Sequence, residues 1–368
     1  MRRTKHPLAT RVTNLEPSGI RKVFEIANAH PEYINLSIGE PDFDMPMFLK
    51  EQGIKAILAG RNRYTPTRGI PELCRLIADQ LTAEGIRFGD LFVTAGATGG
   101  LLLSIQALVG PGDEVIVPDP YFVAYRNLVY MAGGTPVGAD TYPDFQIKAG
   151  AVESLITERT RALILNSPNN PTGAIYERAE LEKLVALADH HGFHIISDEV
   201  YTPFIYEGNY TSLGLLTDDA IIVNSFSKSA AMTGWRLGYV SGPAGVIDRM
   251  AMLQQYAYAS TNSVAQYTAL RAFEVDYSEQ RGNYRRKRDL CYDMLSTRYE
   301  LHKSRGSFYF FPKAPDGNAT AFFERARAAG VLIIPGKDFS RRDTHFRISF
   351  AVADDLLEQG MEILLHLA

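Results

Sequence analysis

Short apolar runs alternate with longer helical patterns through the middle of the chain, from about residue 90 to 240. The apolar runs are LFVT at 91, EVIV at 114, ALIL at 162, HIIS at 194, IIVN at 221 and RLGYV at 236. Apolar runs without polar alternation are typical of strands buried on both faces of a parallel sheet. Helical patterns lie between them, at 98–109, 178–191 and 245–258. The alternation predicts an α/β domain with a mostly parallel sheet and flanking helices.

A second kind of pattern follows residue 275. A charged helical stretch runs to near residue 298, followed by FYFF at 308, a helix around 319–329, VLII at 331, FRISF at 346 and a closing amphipathic helix. The first 40 residues hold a helical run, GIRKVFEIANAH, and a short strand, INLS, which are too little for a domain alone. We expect a large domain over 41–275 and a smaller α+β domain formed by 1–40 and 276–368.

Composition narrows the class of protein. The 368 residues are 46% hydrophobic and 22% charged, with a net charge of -4, values that are ordinary for a soluble globular protein. Because no basic excess is available to neutralise phosphates, we expect no nucleic-acid partner. The most apolar segments fall short of the ~20 residues that span a bilayer, and no apolar leader follows Arg2 and Arg3. We therefore expect a cytoplasmic protein without membrane contact.

Neither the cysteines nor the histidines indicate a metal site. Cys74 and Cys291 lie in helical patterns without CxxC spacing, which favours buried or free thiols over a disulfide framework. Three histidines fall within 190–194, but Gly192 interrupts them and no HExxH pattern is present. We expect no metal ion.

Polar side chains follow three of the predicted strands. ALIL is followed by Asn166 and Asn170, HIIS by Asp198, and IIVN by a segment that contains Lys228. Ligands of open α/β sheets bind at the carboxyl ends of the strands. An amide, a carboxylate and an amine are therefore predicted to converge on one rim of the sheet.

Longer motifs surround these residues. They are SFSKSAAMTGWRLGY around Lys228, NSPNNPTG around Asn170 and DEVY from Asp198. Together they resemble the motifs of fold-type I, pyridoxal-phosphate-dependent aminotransferases of class I, in the aspartate aminotransferase superfamily. Matching motifs run from Pro17 to Arg347, so the resemblance covers nearly the whole chain. It implies a homodimer with shared active sites that uses pyridoxal 5′-phosphate and moves an amino group from an L-amino acid to a 2-oxo acid by a ping-pong mechanism.

The resemblance gives catalytic roles to Lys228, Asp198 and Tyr201, and it makes Asn170 a cofactor-binding residue. A lysine in a partly dehydrated site has a lowered pKa and can bond covalently to an aldehyde. The resemblance makes Lys228 the lysine that bonds to the cofactor and also the group that moves the substrate α-proton. Asp198 would face the protonated ring nitrogen of the cofactor. Tyr201 and Asn170 would hydrogen-bond the ring hydroxyl oxygen. Each residue also has a purely structural alternative. Lys228 would then be a surface lysine and Asp198 a helix cap, while Tyr201 would be a core residue and Asn170 a turn residue.

A phosphate group needs converging N–H and cationic donors, which helix N-termini and arginines supply. Gly96, Ala97 and Thr98 lie between the strand LFVT and a helix expected to begin near Gly99. The resemblance adds four phosphate ligands, which are Ser225, Ser227, Arg236 and, from across a dimer interface, Tyr64. Tyr64 could equally be a loop aromatic residue.

The remaining assignments concern the cofactor face and the substrate. Phe122 in PDPYF matches the aromatic residue stacked on the cofactor, with Tyr121 or simple core packing as alternatives. Arg347 in FRISF matches the arginine that binds the substrate α-carboxylate, for which a surface salt bridge is the alternative role. Gly39 in SIGEPDF and Asn170 match residues beside the same carboxylate.

Two other functions fit the same scaffold. A carbon–sulfur lyase shares the Lys228- and Asp198-type residues but breaks another bond, releasing ammonia with pyruvate. A cofactor-binding regulator would carry a DNA-binding module before the fold, and the motifs begin by residue 17, where we expect no room for one.

Thr98 departs from bacterial relatives of this type that act on aspartate. Those relatives place a lysine there, in a GGKQ-like stretch, to pair with the distal carboxylate, whereas this chain reads GATG. The N-terminal segment that enters the family's substrate pocket, PSGI at 17–20, is neutral. We therefore expect that aspartate is not strongly preferred and that neutral or aromatic amino acids react comparably or better, unless an arginine of the partner subunit replaces the lysine.

Overall fold

The structure is a computed structural model, and it describes residues 6, 8–13, 15 and 17–368. The predicted small domain includes residues 1–5, 7, 14 and 16, which lie outside the described residues. Along the described chain the strands are β1 (Ile34–Asn35), β2 (Asp90–Thr94), β3 (Glu114–Asp119), β4 (Thr135–Asp140), β5 (Thr160–Asn166), β6 (His194–Asp198), β7 (Ile221–Ser225), β8 (Gly238–Gly242), β9 (Tyr309–Phe310), β10 (Val331–Leu332), β11 (Ile334–Pro335) and β12 (Phe346–Ser349).

Helices cover both faces of the main sheet and most of the C-terminal third. They are α1 (Thr10–Thr13), α2 (Gly19–Ala29), α3 (Met47–Leu58), α4 (Pro71–Ala83), α5 (Gly96–Leu108), α6 (Ala124–Ala132), α7 (Ala149–Glu153), α8 (Arg178–His191), α9 (Phe226–Ser229), α10 (Ala244–Tyr258), α11 (Ser263–Ala269), α12 (Ser278–Leu295), α13 (Ala319–Ala328) and α14 (Asp354–Leu367). Short 3-10 turns lie at Leu213–Leu215, Thr233–Trp235, Ala272–Glu274 and Gly336–Asp338. No helix in the described part of the chain is long and apolar enough to cross a membrane.

The main sheet has the strand order β2-β8-β7-β6-β5-β3-β4, and the predicted fold class is confirmed. Every predicted run forms a strand, but β8 is antiparallel to both of its neighbours. The connection from β7 to β8 contains only the four-residue α9 and a 3-10 turn. A parallel crossover normally needs a full helix, so this short connection reverses the chain instead.

The prediction missed β4, whose sequence is TPVGAD. This strand lies at the edge of the sheet and pairs only with β3. Its proline and glycine break the apolar run, and both features are tolerated at an edge strand. Its partly exposed positions explain why apolar continuity alone does not reveal it.

Successive residues of the central strands pack on opposite faces of the sheet. Ile164 and Ile196 pack with α5, α6 and α10, whereas Leu163 and Ile195 pack with α7 and α8. This alternation buries both faces and accounts for the continuous apolar runs in the sequence. The polar residues at the strand ends are thereby held at the edge of a rigid sheet.

The C-terminal third forms a separate small sheet in which β12 lies between β11 and β9, all antiparallel. The run VLII divides at Ile333, because β10 pairs with β1 and β11 pairs with β12. One apolar core joins this sheet to α12, α13 and α14, and it includes Val23 and Leu36 from the N-terminal segment. The exact domain boundaries remain a prediction.

Candidate active site

The carboxyl ends of β5, β6 and β7 and the first turn of α5 surround a cavity of about 280 Å³. Most residues predicted for the site border this cavity: Gly39, Ala97, Thr98, Phe122, Asn170, Asp198, Tyr201, Ser225, Ser227, Lys228, Arg236 and Arg347. Gly96 directly precedes Ala97, and Tyr64 lies elsewhere. The predicted convergence of an amide, a carboxylate and an amine is present.

Lys228 lies in α9, a single helical turn whose N-cap hydroxyl, on Ser225, accepts a hydrogen bond from the Ser227 amide at 3.4 Å. Its Nζ donates to the carbonyl oxygen of Gly39 at 2.6 Å. Burial lowers the pKa of this amine to about 8, and the positive charges of two nearby arginines act in the same direction. Near neutral pH, a substantial fraction of the amine is therefore uncharged.

Gly39 fits beside Tyr309 because it has no side chain. A Cβ at this position would lie 2.3 Å from the Tyr309 hydroxyl oxygen. That hydroxyl in turn lies 3.0 Å from the hydroxyl of Tyr201. The Gly39 segment, the small sheet and the main sheet therefore meet at this corner of the cavity.

Asp198 ends β6 and is 4% exposed. Its Oδ2 accepts a hydrogen bond from the Tyr125 hydroxyl at 2.8 Å. Burial raises the pKa of this carboxyl to about 6, against the lowering effects of that hydrogen bond and of the Lys228 charge. Within the described residues no cation is in ion-pair distance of Asp198. A buried carboxylate without a partner suits a cationic ring nitrogen of a bound group.

Two asparagines connect the strand ends. Asn166 donates from Nδ2 to the Asp198 carbonyl at 2.9 Å, and its Oδ1 accepts from the Asn170 amide at 2.8 Å. The Oδ1 of Asn170 then accepts from the Arg347 guanidinium at 3.0 Å. This chain of hydrogen bonds fixes the positions of three predicted site residues relative to one another.

Arg347, in β12, is 1% exposed and has no carboxylate partner among the described residues. Its guanidinium donates to the carbonyl of Ser37 at 2.6 Å and lies 4.5 Å from the ring centre of Tyr309 and 4.7 Å from that of Phe339. Its Nε is buried without a hydrogen-bond partner in the described structure. A buried cation with an unsatisfied donor, bordering a cavity, suits an anionic ligand such as a carboxylate.

The predicted phosphate ligands lie on the other side of the cavity. Gly96, Ala97 and Thr98 form the first turn of α5, so the expected helix start near Gly99 was three residues too late. Gly96 has a φ of +71°, and a Cβ there would lie 2.8 Å from the Arg236 guanidinium. Free backbone N–H groups of a helix and an adjacent guanidinium form an anion site.

The aromatic residue that borders the cavity is Phe122. Tyr121 is buried outside it, with its hydroxyl accepting a hydrogen bond from Arg126 at 2.7 Å. Tyr125 also borders the cavity, and its ring meets that of Phe122 edge to face at 5.7 Å. Whether Phe122 stacks on a cofactor remains a prediction.

Tyr64 is 90% exposed and does not border the cavity of its own chain. The structure therefore gives it no role within one subunit. The interface role implied by the resemblance remains a prediction.

Sequence reasoning missed several residues that shape the site. Tyr125 contacts Asp198, and Tyr309 and Phe339 contact Arg347. Tyr125 and Tyr309 are remote from their partners in sequence, whereas Phe339 precedes Arg347 closely but lies outside β12. The only signal for Tyr125 was its position three residues after Phe122, at helical spacing.

Over the described residues, no group of three or more histidine, cysteine or acidic side chains is arranged to hold a metal ion.

Comparison with known proteins places these features in context. The family model described as aminotransferase class I and II matches residues 31–364. The chain is 37% identical to an aspartate aminotransferase of Pyrococcus abyssi, over 96% of each chain, and 36% identical to aromatic-amino-acid aminotransferase 2 of Thermococcus litoralis, again over 96% of each. Among solved structures, the aspartate aminotransferase of Thermus thermophilus with maleate is 36% identical, with a TM-score of 0.94 over 99% of this chain and 100% of that one.

Proposed function

The chain belongs to the class I and II aminotransferases, and from that premise we propose that it uses pyridoxal 5′-phosphate bound in the cavity around Lys228. It transfers an amino group between an amino acid and a 2-oxo acid. The observation that carries the cofactor proposal is that the Lys228 amine and the buried Asp198 carboxyl border one cavity, where burial lowers the pKa of the amine and raises the pKa of the carboxyl. Nothing in these relatives supports the carbon–sulfur lyase alternative.

Each part of the cavity suits one part of the cofactor. Lys228 would hold the aldehyde carbon, Asp198 the ring nitrogen, and Asn170 and Tyr201 the ring hydroxyl, with Phe122 against the ring face. The first turn of α5, Ser225, Ser227 and Arg236 would hold the phosphate. When bound, the cofactor supplies an electron sink for the substrate α-carbon.

The residues of this chain supply the remaining steps. Arg347 would bind the substrate carboxylate through its free Nε–H and an adjacent N–H, beside Gly39. Lys228 Nζ, whose lowered pKa leaves a fraction of the amine uncharged near neutral pH, would take the α-proton and return it to the cofactor carbon. Asp198 would keep its charge once a cationic ring nitrogen faces it, because an opposite charge lowers the pKa of a carboxyl.

The substrate proposal follows from the cations that border the cavity. In the described structure these are Lys228, Arg236 and Arg347, and each has a role that leaves none for a distal carboxylate. Thr98 and Ile20 border the cavity instead. We propose that neutral or aromatic amino acids react at least as well as aspartate.

We also propose a homodimer in the cytoplasm. Large apolar side chains are exposed on α3, namely Met47, Ile54, Ile57 and Leu58, and Tyr256 of α10 is 83% exposed. Exposed apolar side chains of this extent are typical of interaction surfaces. A second copy covering them would also give the exposed Tyr64 a position at the neighbouring site. The cytoplasmic location rests on the sequence alone.

Reduction of the cofactor-loaded protein with borohydride, followed by peptide mass spectrometry, tests the cofactor proposal. We expect the cofactor mass on the peptide that contains Lys228, and no such mass in the Lys228→Ala variant. Attachment to another lysine, or no attachment, would overturn the assignment.

A further inference from the structure

Tyr309 lies in β9 of the small sheet, borders the active-site cavity and is 1% exposed. Its hydroxyl lies 3.0 Å from the hydroxyl of Tyr201, and within the described residues neither hydroxyl has another hydrogen-bond partner. Tyr201 follows β6 of the main sheet, so this contact joins the two sheets at the cavity. The two hydroxyls therefore form an isolated buried pair.

The surroundings of this pair are closely packed. The ring of Tyr201 meets those of Phe308 and Tyr309 edge to face, at 5.4 and 5.7 Å between ring centres. The Gly39 backbone lies against the Tyr309 hydroxyl, because a Cβ at Gly39 would lie 2.3 Å from the hydroxyl oxygen. The oxygen of Tyr309 therefore has little room to move away from that of Tyr201.

The charges around the pair favour one direction of hydrogen bonding. Each hydroxyl has one proton and can also accept, and the 3.0 Å contact is compatible with either donor. Burial raises the pKa of both hydroxyls, so both stay protonated near neutral pH. The Arg347 charge, 4.5 Å from the ring centre of Tyr309, acts against this rise at Tyr309, whereas the Asp198 charge adds to it at Tyr201. Tyr309 is therefore the better donor of the two.

We propose that Tyr309 is a positioning residue whose hydroxyl donates a hydrogen bond to Tyr201 once the cofactor is bound. This role rests on the proposed function, in which Tyr201 donates to the ring hydroxyl oxygen of pyridoxal phosphate. Tyr201 has a single hydroxyl proton, so the contact between the two hydroxyls can then persist only with Tyr309 as the donor. A hydroxyl that accepts a hydrogen bond is polarised and donates more strongly in turn.

The second hydrogen bond affects the nitrogen that links Lys228 to the cofactor. When that nitrogen loses its proton, the ring oxygen keeps a negative charge, which the Tyr201 hydroxyl stabilises. Because a hydrogen bond to the charged form favours that form, Tyr309 should lower the pKa of the linking nitrogen by acting through Tyr201. The pH midpoint of the change in visible absorbance measures this pKa.

A pH titration of the visible absorbance of the cofactor-loaded protein tests this role. Tyr309→Phe removes only the hydroxyl and should raise the midpoint by about 0.3 pH unit, whereas Tyr201→Phe should raise it by about 1 unit. Because Tyr309 acts through Tyr201, the double variant should have the midpoint of Tyr201→Phe alone. Tyr299→Phe is the matched control, since it removes a buried hydroxyl of the same core that donates to the Leu364 carbonyl, and it should leave the midpoint unchanged.

The direction of the shift decides the role of Tyr309. No rise in Tyr309→Phe, or a rise in the double variant beyond that of Tyr201→Phe, would overturn the proposal. A fall would also overturn it, because Tyr309 would then accept from Tyr201 in competition with the cofactor. Tyr309→Met, which also lacks the hydroxyl, should shift the midpoint in the same direction and gives the measurement if Tyr309→Phe does not fold.

A failure of the proposed function would look different. The unaltered protein, incubated with pyridoxal phosphate, would then show no protein-bound visible band that changes with pH. That result would overturn the cofactor proposal and the role of Tyr309 with it, whereas a normal band that does not respond to Tyr309→Phe would overturn the role of Tyr309 alone.

Discussion

At the scale of single residues, burial moves the pKa values of Lys228 and Asp198 toward each other. The lysine falls to about 8 and the carboxyl rises to about 6, because each loses water around its charged form. Both groups can therefore change protonation near neutral pH. Such shifts in neighbouring buried groups are typical of catalytic sites.

The first prediction concerns Lys228 as a nucleophile. Only the uncharged amine attacks an aldehyde, and a lowered pKa means that half of the amine is uncharged at about pH 8. The rate at which protein stripped of cofactor captures pyridoxal phosphate, followed by absorbance, should therefore rise with pH and reach its midpoint near pH 8. Lys228→Ala should show no covalent capture. A midpoint near the ordinary lysine pKa of about 10.4 would contradict the assigned environment.

The second prediction concerns the charge of Asp198. Asp198→Asn keeps the shape of the side chain but removes the charge that would face the ring nitrogen, so kcat/KM should fall by about a hundredfold or more. Tyr125→Phe is the matched control, because it removes the hydrogen bond to Oδ2 but keeps the carboxylate. Its loss should stay below about tenfold. Near-normal rates in Asp198→Asn would show that another carboxylate has this role.

The sequence could place Asn166, Asp198 and Lys228 on one rim because each follows a recognisable apolar strand. It could not reveal Tyr125 or Phe339 in the same way. Their contacts with Asp198 and Arg347 depend on how α6 and the loop before β12 pack in three dimensions. Neither contact follows the spacing of one helix or one strand, so no local pattern in the sequence marks it.

At the scale of secondary-structure elements, the first turn of α5 determines two properties of the site. Its backbone N–H groups form the predicted phosphate site, and Thr98 in that turn borders the cavity. The sequence predicted this helix but started it too late, because its three glycines in the first turns weaken the helical pattern. The edge strand β4 was missed because its apolar run is broken. The strand β8 was predicted, but its antiparallel direction was not, because that direction follows from the short connection before it.

The third prediction concerns amino-acid preference and Thr98. In the unaltered protein, kcat/KM for alanine, methionine or phenylalanine should be comparable to or higher than the value for aspartate, and an aspartate value more than about a hundredfold higher would contradict this. Thr98→Lys should raise the value for aspartate relative to phenylalanine by about tenfold, because it supplies a cation for the distal carboxylate. Thr98→Gln, which is long but neutral, is the control and should not. A strong preference for aspartate in the unaltered protein would reveal a cation from another source.

At the scale of the whole molecule, residues from distant parts of the chain meet around the cavity. Gly39 comes from the N-terminal segment, Lys228 from α9 directly after β7 of the main sheet, and Arg347 from the small sheet. The sequence predicted this arrangement well, because strand ends and motifs mark each contribution. The pattern of strands and helices does not indicate which residues a second subunit would add, and only the resemblance pointed to Tyr64.

The fourth prediction tests a shared active site. If Tyr64 serves the neighbouring subunit, mixing Tyr64→Ala with Arg347→Ala protein should restore activity, because each mixed dimer holds one intact site. With random exchange, about a quarter of all sites should be intact. Each variant alone, treated in the same way, is the control. No recovery despite subunit exchange, shown by native mass spectrometry, would contradict the interface role of Tyr64.

The measurement that tests the central claim most directly follows the amino nitrogen itself. An amino acid labelled with heavy nitrogen is incubated with the protein, pyridoxal phosphate and a second 2-oxo acid, and the products are separated by mass spectrometry. The account predicts that the label appears in the new amino acid, in amounts equal to the 2-oxo acid formed from the donor. Release of the label as ammonium, together with pyruvate from a sulfur-containing donor, would contradict amino transfer and indicate a lyase.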